Sequence, residues 1–147
     1  MLVERQLYFA YGANMHPGQM AWRCPQALAH GAFILRDWEL KLYSHATIDH
    51  RPGMSVGGVL WEITPECEKA LDRLEGYPHF YDKKTVKVKH NGRKVDAMIY
   101  YMTNHYGVDY PSKHYLDMVI EGYLEHRISV VQIDQALEVV DAHSSRK

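Results

Sequence analysis

The chain has 147 residues, 46% of them hydrophobic and 24% charged, the size and composition of one globular domain spanning residues 1–147. Seventeen Lys and Arg against eighteen Asp and Glu leave a formal charge of −1, which argues against nucleic acid as a partner, because phosphate binding needs a positive footprint. No apolar run approaches the roughly 20 residues of a membrane span, and Glu4 and Arg5 interrupt any signal-peptide core.

Cys24 and Cys67 have neither CxxC spacing nor a zinc-ligand pattern, so they suggest no disulfide framework. The expectation is two reduced thiols in a cytoplasmic protein. The first strand falls at Leu7–Tyr11, apolar on both faces as in a buried strand. Gly12-Ala13-Asn14 follows, then a short helical turn through Met20 and Trp22 that stops near Pro25. Residues 28–44 read as a hairpin turning at Arg36-Asp37. Thr47-Ile48 is extended, Arg51-Pro52-Gly53 a loop, and Val56–Ile63 a strand.

Thr64-Pro65 is a helix start, with a hydroxyl at the N-cap and a proline where the missing N–H costs nothing. The helix runs to about Leu74 with Cys67, Ala70, Leu71 and Leu74 on one stripe, and Gly76 stands where a C-terminal glycine belongs. Strands at Lys84–His90 and Val95–Thr103 are joined by Asn91-Gly92, a strong hairpin signal. After Pro111, Ser112 caps a helix carrying Tyr115, Leu116, Val119, Ile120 and Tyr123. Ser129 and Gln132 have capping-box spacing for a last helix with Ile133, Leu137 and Val140. The tail from His143 to Lys147 is expected to fray. A β-rich body with one internal and two terminal helices is an α+β fold.

Two stretches invite chemistry. Gly12-Ala13-Asn14, directly after a strand, is either a plain turn or a nest of backbone N–H groups for a carboxylate or an oxyanion. Glu75 ends its helix at the negative dipole end, beside Tyr77 and Tyr81. Both position and partial burial would raise its proton affinity, as a general base near neutral pH requires; the alternative is a solvated helix-end glutamate. Ten histidines show no HxxxH or HExxH spacing, so no metal is expected. Cys67 lies on an apolar stripe and no GxSxG occurs, which leaves no nucleophile motif. Tyr100, Tyr101 and Tyr115 read as core or as pocket lining.

Taken in order, "LYFAYGANM", "GGVLWEIT", "LDRLEGYPHFY" and "YYMTN…YPSKHY" resemble the gamma-glutamylcyclotransferase family, also described as AIG2-like, from Leu7 to about Glu125. The resemblance implies a small mixed β-barrel with flanking helices and conversion of a γ-glutamyl compound to 5-oxoproline with release of an amine. It implies that Tyr8, Phe9, Ala10, Tyr11, Gly12, Ala13 and Asn14 cradle the γ-glutamyl group, with Tyr81, Tyr100 and Tyr115 joining the binding set. Glu75 matches the family's acid/base, and no cofactor is implied. The usual motif is YGSN, so Ala13 replaces a serine here. The other readings of the chain are a module that binds γ-glutamyl or other small carboxylates without turnover, and a homodimer built on the C-terminal helices.

Overall fold

A computed structural model describes residues 4–103 and 107–144; His105 and the end of the expected frayed tail lie outside them. Five strands, β1 (Gln6–Ala10), β2 (Leu28–Tyr43), β3 (His45–Ile63), β4 (Tyr81–His90) and β5 (Arg93–Met102), form one sheet in the order β2-β3-β1-β5-β4. The helices are α1 (Pro17–Arg23), α2 (Pro65–Glu75), α3 (Lys113–Glu125) and α4 (Val131–Ser144), and a 3-10 turn at Ala13–Met15 follows β1. The expected α+β class holds. β1 is the central strand, antiparallel to β3 and parallel to β5, so its end lies in the middle of the sheet, between two neighbours.

The sheet curls until its two edges meet through side chains. His30 on β2 packs edge-on against His90 on β4 with ring centres 5.1 Å apart, and Lys84 Nζ lies 5.5 Å from the ring centre of Trp38. No strand ladder joins β2 to β4 among the described residues, so the sheet stays open and "barrel" describes it only loosely.

Phe9, Val59, Leu60, Ile63, Leu71 and Ile99 form the centre of the core, each at most 1% exposed. A fully buried Phe or Leu contributes about 1.5–3 kcal/mol relative to an exposed one. Gly58 shows how tightly β3 is pressed onto β1: a Cβ there would lie 2.3 Å from the Ala10 carbonyl oxygen. Only a residue without a side chain allows that approach.

Several elements match their local signals. Thr64 Oγ1 accepts from Cys67 N at 3.2 Å and Gly76 closes α2 with φ 65°. Ser112 Oγ accepts from Tyr115 N at 3.1 Å. Asn91 and Gly92 both take positive φ in the β4–β5 turn.

Four readings need correction. The hairpin does not turn at Arg36-Asp37; β2 continues to Tyr43 and turns at Ser44, with a shift of register between Arg36 and Trp38. Asp37, at φ 71°, accepts from Gly53 N at 3.0 Å. A left-handed Asp therefore makes a bulge in a long strand pair, not a turn. Arg51-Pro52-Gly53 lies within β3 for the same reason. Ser129 Oγ accepts from Val131 N, while the Gln132 side chain bonds both backbone groups of Gly57 in place of a capping box. The cysteines, finally, are joined: Cys24 Sγ and Cys67 Sγ are 2.15 Å apart with Cα atoms at 5.1 Å. The fold sets the C-cap of α1 on the apolar face of α2, a meeting that spacing along the chain does not reveal. The cysteine pattern thus no longer speaks for a reducing compartment.

Candidate active site

β1 delivers alternate side chains to opposite faces of the sheet. Phe9 turns into the core, packing against Phe33 with ring centres 6.1 Å apart. Tyr8 faces the other way, toward the end of α2. The chain then leaves the sheet at Tyr11 and folds into the 3-10 turn, closed by Met15 N donating to Gly12 O at 3.1 Å and His16 N to Ala13 O at 3.1 Å. The N–H groups of Ala13 and Asn14, at the start of that turn, find no acceptor among the described residues.

A cavity of about 490 Å³ opens over this turn. It is bordered by Tyr8, Tyr11, Gly12, Ala13, Asn14, Glu75, Tyr81, Tyr100 and Tyr115, drawn from β1, α2, β4, β5 and α3. Of the residues expected at the site, Phe9 and Ala10 are not at this cavity: Phe9 lies on the opposite face and Ala10 ends in a buried methyl. A larger groove of about 1150 Å³ between β2, β4 and α4 is bordered by Gly57 of the quoted motifs but by none of the residues expected at the site.

Glu75 comes to the cavity because α2 is stopped there. Its carboxyl is 3.1 Å from Asn14 Nδ2, which donates to Oε1, and the same nitrogen donates to Tyr8 Oη at 3.0 Å. Arg23 Nη1 donates to Asn14 Oδ1 at 2.5 Å. Burial pushes the Glu75 carboxyl up to about 7, against the opposing pull of Arg23 and of the Asn14 hydrogen bond. Glu68, two turns earlier on α2, is instead spent on Lys83, 2.5 Å away.

Four of the five tyrosine hydroxyls divide into two pairs. Tyr11 Oη donates to Tyr100 O and Tyr81 Oη to Ala46 O, both at 2.6 Å, so their protons are spent on the backbone. Tyr115 Oη accepts from Ala46 N at 3.0 Å, and Tyr8 Oη accepts from Asn14. Each therefore keeps its own proton to offer. Burial raises the proton affinity of both, so they remain neutral hydroxyls at physiological pH. Tyr100, whose Oη donates to Asp72 Oδ1 at 2.7 Å, packs edge-on against Tyr8.

Gly12 is bare for a measurable reason. A Cβ there would lie 2.9 Å from Tyr115 Oη and 3.5 Å from the Ala46 methyl. The glycine makes room for the tyrosine hydroxyl at the mouth of the turn. Sequence reading missed Arg23 and His45. Arg23 carries no motif and reaches Asn14 only through the packing of α1. His45, placed by the β2–β3 turn, has its ring centre 4.9 Å from that of Tyr115 and is held toward the neutral form by burial.

Residues 8–117 match the family model described as "Gamma-glutamyl cyclotransferase, AIG2-like". The chain belongs to that family. It is 30% identical over 137 residues to a protein of Bos taurus and to one of Homo sapiens, each named gamma-glutamylcyclotransferase, across 84% of this chain and 72% of theirs. A solved structure titled "Gamma-glutamyl cyclotransferase" superposes with a TM-score of 0.79 at 28% identity, covering 90% of this chain and 86% of that one. By these relatives the protein is an enzyme of the gamma-glutamyl cyclotransferase family. Among the described residues no helix is long and apolar enough to cross a membrane, and no cluster of three or more His, Cys, Asp or Glu is placed to hold a metal.

Proposed function

We propose that the protein converts a γ-glutamyl compound to 5-oxoproline and a free amine or amino acid, with Glu75 as general base and then general acid. The observation that carries this is the buried Glu75 carboxyl, pushed up to about 7, in the cavity that Ala13 and Asn14 also border. A substrate α-ammonium cannot attack its own γ-carbonyl until it loses a proton. Glu75 accepts that proton, and the amine nitrogen bonds to the γ-carbon to close a five-membered ring. Glu75 then gives that proton to the departing nitrogen as the old C–N bond breaks, and the second proton shed by the new ring nitrogen ends on the freed amine, leaving neutral lactam N–H and an ammonium product.

Because the attack is intramolecular, folding the substrate against the 3-10 turn supplies much of the acceleration. The negative oxygen of the tetrahedral intermediate is suited to the neutral hydroxyls of Tyr8 and Tyr115 or to the backbone N–H groups of Ala13 and Asn14. All of these donors belong to backbone or to residues other than Ala13's side chain, so the absent motif serine is not needed for them.

The test is release of 5-oxoproline from γ-glutamyl dipeptides, glutathione and γ-glutamyl-amines, with Glu75→Gln beside wild type. Release that is lost in the folded variant is the expected result, and the panel reads out the leaving group. Binding of these compounds with no release from any would overturn the proposal in favour of a module that binds without turnover.

A further inference from the structure

The Asn14 side chain stands between three groups, and only one of them dictates which way it points. Tyr8 Oη can either donate or accept, and the Glu75 carboxyl near its titration point can do the same. The Arg23 guanidinium has donors only. Its 2.5 Å contact must therefore fall on the amide oxygen, and the planar amide then turns Nδ2 toward Tyr8 and Glu75 at 3.0 and 3.1 Å. Rotated by half a turn, the amide would set its oxygen against the carboxylate.

We infer that Arg23 is a positioning residue for the reaction: by holding Asn14 Oδ1 it fixes the amide in the orientation that donates to Glu75 and Tyr8. This rests on the reading of Glu75 as acid and base.

The rest of Asn14 is already immobilised. Its carbonyl accepts from Trp61 Nε1 at 3.1 Å, and the residue is 4% exposed. The side-chain torsion is the freedom that remains. Arg23 is itself well anchored for the task. It is the last residue of α1, and the next residue, Cys24, is bonded to Cys67 of α2, the helix that ends in Glu75. The two helices that carry the outer members of the Arg23–Asn14–Glu75 relay are thus tied covalently. The guanidinium charge also favours the ionised carboxylate, and so works against burial in the same direction as the Asn14 hydrogen bond.

Arg23 borders the cavity, so the rival role is direct contact with a substrate carboxylate. Three variants separate the two. Arg23→Met removes charge and donor, Arg23→Gln keeps a neutral donor, and Arg23→Lys keeps the charge. Each is studied in the full chain by kcat, KM and kcat/KM against pH, and by a 13C NMR titration of the Glu75 carboxyl without substrate.

For Arg23→Met the expected result is a fall in kcat of about tenfold with KM changed less than about twofold. The acidic limb of kcat/KM and the NMR titration should both move up by about one pH unit. Arg23→Lys should recover most of both effects. Arg23→Gln should recover part of kcat while its titration stays high, because the donor returns without the charge. A rise in KM of about tenfold with an unmoved limb would assign Arg23 to the substrate and overturn the inference, as would unchanged kinetics and titration. If Arg23→Met does not fold, the Gln and Lys pair decides: equal titrations in Gln, Lys and wild type overturn it. If wild type turns over none of the panel, the proposed function fails by that result, while the NMR titration still tests whether Arg23 orients Asn14 toward Glu75.

Discussion

Replacing Glu75 by Gln should stabilise the fold as well as stop turnover, by an amount that depends on pH. Burial lifts this carboxyl from 4.5 to about 7 in the folded chain. Between those values the unfolded chain has lost a proton that the folded chain keeps. The contribution to stability is therefore fully present below pH 4.5 and is lost as pH rises through about 7. At about 1.4 kcal/mol per unit, the ionised carboxylate makes wild type about 3 kcal/mol less stable at pH 8 than this group allows at pH 4. Gln has the same shape, still accepts from Asn14 through its oxygen, and does not titrate. Urea unfolding followed by tryptophan fluorescence at the two pH values gives the difference between the proteins, in which the other titrating groups cancel. The gap should be near zero at pH 4 and approach about 3 kcal/mol in favour of the variant at pH 8. An equal gap at both values would show that the carboxyl is not desolvated. A variant less stable than wild type at pH 8 would show that Arg23 and Asn14 outweigh burial, and would reverse the reasoning.

Gly12→Ala should cut 5-oxoproline release by at least about tenfold and cost about 1–3 kcal/mol in unfolding, because the new methyl meets Tyr115 Oη at 2.9 Å; adding Tyr115→Phe should return stability without returning rate. Ala13→Ser should leave kcat/KM within about threefold, since the proposed mechanism draws on the backbone N–H and not on a side chain at that residue; a gain of about a hundredfold would place the missing hydroxyl in the chemistry. Mass spectrometry under non-reducing conditions should find Cys24 and Cys67 linked, and Cys67→Ser should lower stability by about 4 kcal/mol, from closure of a loop with sequence separation 43. Gly58→Ala should yield little folded protein in circular dichroism and thermal melts, because its methyl would meet the Ala10 carbonyl oxygen at 2.3 Å.

Local signals were legible wherever a residue's chemistry acts within a few positions of itself. Thr64, Pro65 and Gly76 bound α2 by hydrogen bonds and backbone angles that belong to those residues. Ser112 caps α3, and Asn91-Gly92 turns β4 into β5, for the same reason. The Gly-Ala-Asn turn and the glutamate at a helix end could be singled out because glycine's freedom and the helix dipole are properties of short stretches.

The long-range facts were not legible, since each depends on which surfaces meet. Asp37 makes a bulge because Gly53 lies opposite to donate to it. Cys24 and Cys67 bond because α1 ends on α2. Phe9 falls away from the cavity and Tyr8 toward it once the sheet decides which face of β1 is core. Arg23, Asn14 and Glu75 lie in three separate stretches of sequence, and no periodicity connects them. Chain connectivity sets local conformation, where the partners are neighbours by covalent bond. Only the packing of α1 and α2 around the end of β1 brings these three side chains together, and burial there gives the Glu75 carboxyl a proton affinity near neutrality.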